Sequence, residues 1–419
     1  MVKNSSNLST SDKRNKQSAF FYGYIITICS FLILLVAFGT NYSFGIFFNQ
    51  LREDLEWSRT VTSTGYSIAV LVSGIIGIVL GKFTDRFGPR VAIIIAGISL
   101  SSGCILMSIV NHPWQIYLVY GLLVGVGFGG AIIPLTSTIS RWFVRHRGLM
   151  TGIVVSGIGT GTIVMPFLAN SLLEAFSWRI SFIIMGLLAL MVMIPASLFL
   201  KRDPSSIGQL PYGINEVSGT SAGSQEIGMS FGEVVHTGRF WMVCLINLFV
   251  GFYIQGMIVH IVPYAKSLNI ESTSATAILS FIGFGSIFGR IVLGSASDRI
   301  GVKYAIVIAL GLNLVGLTWL LFARSVWMFC ALAIIYGAGY GALIALQSLA
   351  PAKMFGVASL GVMAGVITFI YTGSGAIGPI VTGYICDVTG SYHPAFLAFA
   401  LLSAAGLVLA LTIPKPRSK

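Results

Sequence analysis

Unbroken apolar runs of about twenty residues or more recur along this chain, separated by short polar clusters. A helix needs about 20 apolar residues to cross a bilayer core. Because the runs are continuous rather than alternating, they read as helices and exclude a membrane β-barrel. Twelve are predicted: 20–49, 58–81, 91–110, 114–140, 148–173, 179–200, 239–265, 273–297, 303–323, 326–352, 357–385 and 392–413. Most are joined by only a few residues, so neighbours should form antiparallel hairpins. Residues 201–238 are the exception; their Ser218-Gly219-Thr220-Ser221-Ala222-Gly223-Ser224 stretch reads as a flexible linker. The first run is too long for a signal-peptide core and should remain as a span.

The two sides of the linker repeat one another. Gly81-Lys82-Phe83-Thr84-Asp85-Arg86-Phe87-Gly88 aligns with Gly294-Ser295-Ala296-Ser297-Asp298-Arg299-Ile300-Gly301, an offset of 213 residues. Ser177-Trp178 aligns with Ser391-Tyr392 in the same way, one residue further on. The predicted fold is therefore an all-α membrane protein of twelve transmembrane helices in two pseudo-symmetric six-helix bundles. Its layout is an N-terminal tail (1–19), a first bundle (20–200), the linker (201–238), a second bundle (239–413) and a C-terminal tail (414–419).

Composition agrees: 55% of the 419 residues are hydrophobic and 9% charged, where a soluble domain carries about 25% charged residues. The net charge of +12 does not signal nucleic acid, because the cations cluster at span ends. Of the 25 Lys and Arg residues, Arg290 lies within a span and Arg52, Arg59, Arg179, Lys266 and Arg324 fall on one side. The other 19 share the side of the N-terminus, so the positive-inside rule predicts cytoplasmic termini and linker, in a cell (inner) membrane. The five cysteines are scattered through apolar segments and read as packing residues. No metal-ligand cluster, phosphate loop or nucleophile constellation is present, so neither an enzyme nor a cofactor is expected.

Arg290 changes the picture most. It lies eight residues before the polar exit at Asp298, roughly 12 Å along a helix axis, well inside the apolar layer. A cation there costs ~2.5–3.5 kcal/mol on insertion scales. The positions three and four residues before it are Ile287 and Ser286, so no acid is within reach on its own helix. The repeat places Gly77 opposite Arg290, so the scaffold does not require a cation at this position. The simplest reading is a cavity in which Arg290 awaits an anion. Tyr336 and Tyr340 share a face of span 10 with Gln347, a polar stripe suited to a wet cavity. The repeat sets Tyr340 opposite Gly127, and Gln255 opposite Tyr42. His260 is the one histidine within a span and a candidate for carrying a proton.

The Gly-x-x-x-Asp-Arg-x-Gly pattern after spans 2 and 8, present twice, resembles the signature loop of the major facilitator superfamily. That resemblance implies two bundles around a midplane site opened alternately to each side, with spans 1 and 7 lining the pore. Asn41, Tyr42 and Gln255 are then substrate-binding candidates beside Arg290, Tyr336, Tyr340 and Tyr371. Asp85, Arg86, Asp298 and Arg299 become gating residues at the cytoplasmic side. Arg141-Trp142-Phe143-Val144-Arg145-His146-Arg147-Gly148 entering span 5, and Gly378-Pro379 with Gly383 and Asp387 in span 11, resemble the monocarboxylate porter family. Two positions depart from that family's proton-coupled members: Ser286 stands where they carry an aspartate, and Tyr42 where they carry a lysine. The expected function is a proton-coupled symporter of small monocarboxylates such as lactate or pyruvate, working as a monomer. An organic-anion exchanger of the oxalate–formate kind is the alternative. An apolar-drug exporter would want an acid in the cavity, and a membrane sensor would need an appended soluble domain.

Overall fold

The structure is a computed structural model that describes residues 21–143, 147–212, 231–355 and 360–413. Twelve helices are long and apolar enough to cross a membrane. Span 1 runs Gly23–Asp54, span 2 Arg59–Gly81, span 3 Pro89–Met107, span 4 Pro113–Trp142, span 5 Leu149–Ala175 and span 6 Trp178–Leu198. Spans 7 to 12 are Gly238–Ser267, Ser272–Ser297, Val302–Leu320, Val326–Gln347, Gly365–Thr389 and His393–Thr412. Span 1 is two helical pieces, Gly23–Tyr42 and Phe44–Asp54, broken at Ser43. The helix of span 2 continues to Phe87 and that of span 8 to Ile300. Each is ended by a glycine with positive φ, Gly88 (+83°) and Gly301 (+86°), a conformation that side chains with a Cβ disfavour. The repeated loop motif therefore has a direct backbone reason for its last glycine.

Within each half, glycine rails bring helices together backbone to backbone. A Cβ on Gly125 would meet the Ala69 carbonyl at 2.8 Å, and one on Gly129 would strike Ser73. In the second half, Gly337 faces the Ile282 carbonyl and Gly341 the Ser286 carbonyl. These pairs set the span 4 to span 10 offset at 212 residues, while spans 2 and 8 keep 213. Tyr340 thus stands at the position of Phe128, not Gly127. Relative to its repeat mate it is an aromatic ring that has gained a hydroxyl. A π-helical stretch, Tyr117–Val124, lies in span 4, and its Tyr120 hydroxyl donates to the Asn41 carbonyl (3.3 Å).

The halves meet at one face and part at the other. On the face away from the linker, Gly383 of span 11 packs on the Arg59 backbone (3.0 Å), and Gly45 of span 1 on the Val259 carbonyl (3.0 Å). Near the middle of the spans, Gly283 of span 8 meets Ile163 of span 5 at 2.9 Å. Toward the linker, nothing lies within 4 Å of the side-chain positions of Gly152, Gly294 and Gly365, on spans 5, 8 and 11. Among the described residues, the halves touch toward the far face and stand clear of one another at these linker-side glycines.

The linker begins as packed structure. Trp142 Nε1 donates to the Lys201 carbonyl (2.9 Å), Tyr212 N to the Trp142 carbonyl (3.0 Å), and Arg141 pairs with Asp203 (3.5 Å). The Ser218–Ser224 stretch lies outside the described residues. A short helix, Phe231–Val235, precedes span 7.

Candidate functional site

Polar side chains are rare in these spans, and those that cross between the halves form a ladder from the middle of the molecule to the far face. At its foot the hydroxyls of Tyr42 (span 1) and Tyr340 (span 10) are 3.2 Å apart. Next, the Tyr66 hydroxyl of span 2 donates to Gln255 Oε1 of span 7 (3.0 Å) and accepts from Asn41 Nδ2 (3.3 Å). Higher still, His260 Nε2 of span 7 lies 3.1 Å from Ser63 Oγ and 3.0 Å from the Pro379 carbonyl. The carbonyl can only accept, so Nε2 carries the proton. The top rung joins Asp387 of span 11 to Thr60 of span 2 (2.7 Å).

Below this roof lies Arg290. Its Nη1 donates to the Val155 carbonyl of span 5, in the other half, at 3.3 Å. Its Nε is buried without a partner. No acidic side chain among the described residues pairs with it. Backbone carbonyls are neutral, so the guanidinium keeps its charge uncompensated, and a buried unpaired donor costs roughly 1–3 kcal/mol more. Nothing in this arrangement offsets the cost of placing the group inside the apolar layer.

The structure gathers Asn41, Tyr42, Gln255 and Tyr340 at the ladder's foot. Tyr371 of span 11 lies within electrostatic range of Tyr340, Tyr66, Tyr253 and Arg290. Tyr336 is different: it is fully buried, with Gly316 of span 9 packed on its Cβ side (2.9 Å), and its hydroxyl has no partner. His260 is 0% exposed, and its Nδ1 has no partner. Arg86 is exposed and lies over the Phe87 ring (5.2 Å), and Arg299 is exposed. The side chains of Asp85 and Asp298 fall outside the described residues. Tyr66, Ser63, Tyr120 and Asp387 were not legible as site residues. Tyr66 and Ser63 sit three residues apart on span 2, one helical turn, which is the periodicity that could have marked them.

Twelve apolar spans in two repeated halves, with a cation set between them that pairs with no acid among the described residues, are the architecture of a membrane transport protein. The chain belongs to the Major Facilitator Superfamily, whose sequence model matches residues 29–295 and 242–419. It is 26% identical over 397 residues to monocarboxylate transporter 13 of Bos taurus, covering 94% of this chain and 89% of that one. It is 28% identical over 358 residues to the uncharacterized MFS-type transporter YhjX of Escherichia coli K12, covering 84% and 85%. A bacterial homologue of the human lysosomal transporter Spinster, solved inward-facing and unoccupied, superposes with a TM-score of 0.74 at 16% identity. That match covers 96% of this chain and 99% of the other, and it shows the shared fold.

Proposed function

We propose that this protein is a secondary transporter of small monocarboxylates, working by alternating access, with Arg290 as the carboxylate-binding residue. The observation that carries this reading is the guanidinium's state among the described residues: a bond to a backbone carbonyl, a bare Nε, and no acid. A carboxylate would supply two oxygens in the plane of the fork. Tyr42, Tyr340 and Tyr371 would offer hydroxyls to a second polar group of the substrate, with Asn41 and Gln255 behind them. The similarity to monocarboxylate transporter 13 supports the same substrate class. Uptake of labelled lactate and pyruvate into proteoliposomes tests it; failure to accumulate any short monocarboxylate would remove the reading.

Proton symport accompanies the anion. His260 is the proposed proton site on the protein, since a ring whose Nδ1 is vacant can take a second proton once the seam parts. A pH gradient, acid on the substrate side, should drive accumulation. His260→Gln keeps a donor for the Pro379 carbonyl but cannot take up a proton, so it should flatten the dependence on the gradient while leaving equilibrium exchange measurable. Uptake that ignores the gradient and needs a counter-anion inside the vesicle would favour an exchanger of the oxalate–formate type.

The cation distribution supports placing the linker face in the cytoplasm and the far face outside. In a variant without native cysteines, single cysteines in 201–238 should react with an impermeant maleimide only after cells are opened. Labelling of the linker in intact cells would invert the orientation.

A further inference from the structure

The top of the ladder is duplicated. Asp387 ends span 11 of the second half and reaches the start of span 2 in the first. It accepts from the backbone N–H groups of Arg59 (3.1 Å) and Thr60 (2.9 Å) and from Thr60 Oγ1 (2.7 Å). The first turn of that helix is thereby completed: Val61 N is taken by Ser58 Oγ (3.2 Å) and Thr62 N by the Ser58 carbonyl (3.2 Å). A helix start has four unpaired N–H groups and a partial positive charge, so a carboxylate suits it. Across the molecule, Glu174 ends span 5 of the first half and reaches the start of span 8 in the second, accepting from Thr273 Oγ1 at 3.1 Å. Its neighbour Asn170 donates to Glu174 (2.7 Å) and accepts from Ser272 (2.7 Å) and Thr276 (3.2 Å) of span 8. Thr273 is Thr60 plus 213, and Asp387 is Glu174 plus 213. Both members of the acid–threonine pair are thus kept at the repeat offset.

We propose that these two contacts are a twin clasp: each half uses an acid at the end of one helix to hold the first turn of a helix in the other half, Asp387 by capping backbone N–H groups and Glu174 through the Thr273 hydroxyl, and together they hold the far face shut. The caps exist only while the halves touch, so their bonds count toward the closed state alone. The two sides are unequal. Asp387 takes two backbone donors and a hydroxyl, whereas Glu174 takes one hydroxyl and a bond from Asn170 of its own half. The Asp387 side is therefore the stronger. Arg59 adds little, since its guanidinium stands 3.8 Å from Asp387 with both side chains about a quarter exposed, where ion pairs count for little. It also lies over the Tyr392 ring (5.7 Å), whose hydroxyl burial pushes up in pKa, so the ring stays neutral.

The test is the separation of the halves, measured without substrate so that it is independent of what is carried. Spin labels at Ser177, which caps no helix with its side chain, and at Phe322, which is 72% exposed, report the far face by electron–electron double resonance in nanodiscs. Asp387→Ala should shift the closed-to-open ratio toward open by about tenfold, the scale of lost charge-assisted bonds at a partly wet site. Glu174→Ala should shift it less, and the double variant more than either. Arg59→Gln should leave the distance distribution near wild type. If Asp387→Ala does not assemble, Thr60→Val, which removes only the hydroxyl, should still give a smaller shift in the same direction. Unchanged distances in every carboxyl variant would overturn the clasp. So would an Arg59→Gln shift equal to that of Asp387→Ala, which would make the contact a plain ion pair.

Discussion

Arg290→Gln should abolish anion binding while leaving the protein folded. The substitution removes a charge whose insertion costs ~2.5–3.5 kcal/mol, so the empty protein should be no less stable than wild type in a detergent melting assay. What is lost is the partner of a desolvated carboxylate. Truncating one side of such a pair costs about 2–5 kcal/mol, which is roughly 30-fold to several thousand-fold in affinity at 1.4 kcal/mol per decade. Glutamine is too short to keep the bond to the Val155 carbonyl, but Gly159 against Ile287 (2.7 Å) and Gly283 against Ile163 (2.9 Å) still hold spans 5 and 8 together. Arg290→Lys should also fail substantially: a point ammonium cannot present two parallel donors to two carboxylate oxygens. Uptake and equilibrium binding by both variants, beside the melting curves, decide the matter. Transport by Arg290→Gln within a few-fold of wild type would remove Arg290 from the site.

Competition should separate monoanions from dianions by more than any difference of size does. Arg290 is the one cation that the hydropathy pattern places deep in a span; Lys353 falls at the linker-side end of span 10. One carboxylate neutralises the empty site. A dicarboxylate would leave a net negative charge in a space roofed by Tyr42, Tyr340, Tyr66 and Gln255, none of which can balance it, and an unpaired buried ion costs several kcal/mol. Monoanions of two to four carbons should therefore displace labelled lactate at concentrations at least tenfold below those needed by oxalate or succinate, at a pH where all are fully ionised. Better competition by oxalate would mean that a second cation, most simply Lys353, reaches the cavity.

The spans, the repeat and the half-buried arginine were legible because each is a local signal. Twenty apolar residues, a doubled loop and a cation among glycines need no partner to be seen. The ladder was not, because its rungs join residues from opposite halves, and hydropathy carries no information about which faces meet. Tyr66 and Ser63 look like ordinary minority residues of an apolar helix until Gln255 and His260 arrive from span 7. Asp387 sits at the end of its span, where a charged residue is routine. The alignment of the halves misplaced Tyr340 by one residue, since an offset read from loops does not register a slip between them; the glycine contacts of spans 4 and 10 do. Yet Glu174 and Asp387, with Thr60 and Thr273, were visible in the repeat itself. Span ends were read as parts of a mechanism on the linker side only, and as mere boundaries on the far face.

The glycine rail of spans 8 and 10 bears on how cargo would travel. Gly285, Gly289, Gly337 and Gly341 press these two helices so closely that a side chain at any of them would strike a carbonyl of the other. Arg290 and Tyr340 ride on that pair, so their spacing is nearly invariant while the contact from Arg290 to Val155 has to change as the halves rock. An anion seated on Arg290 is then a passenger of the second half from loading to release. The first half would then act as the shutter, with Tyr42 its one hydroxyl meeting the cargo as it closes.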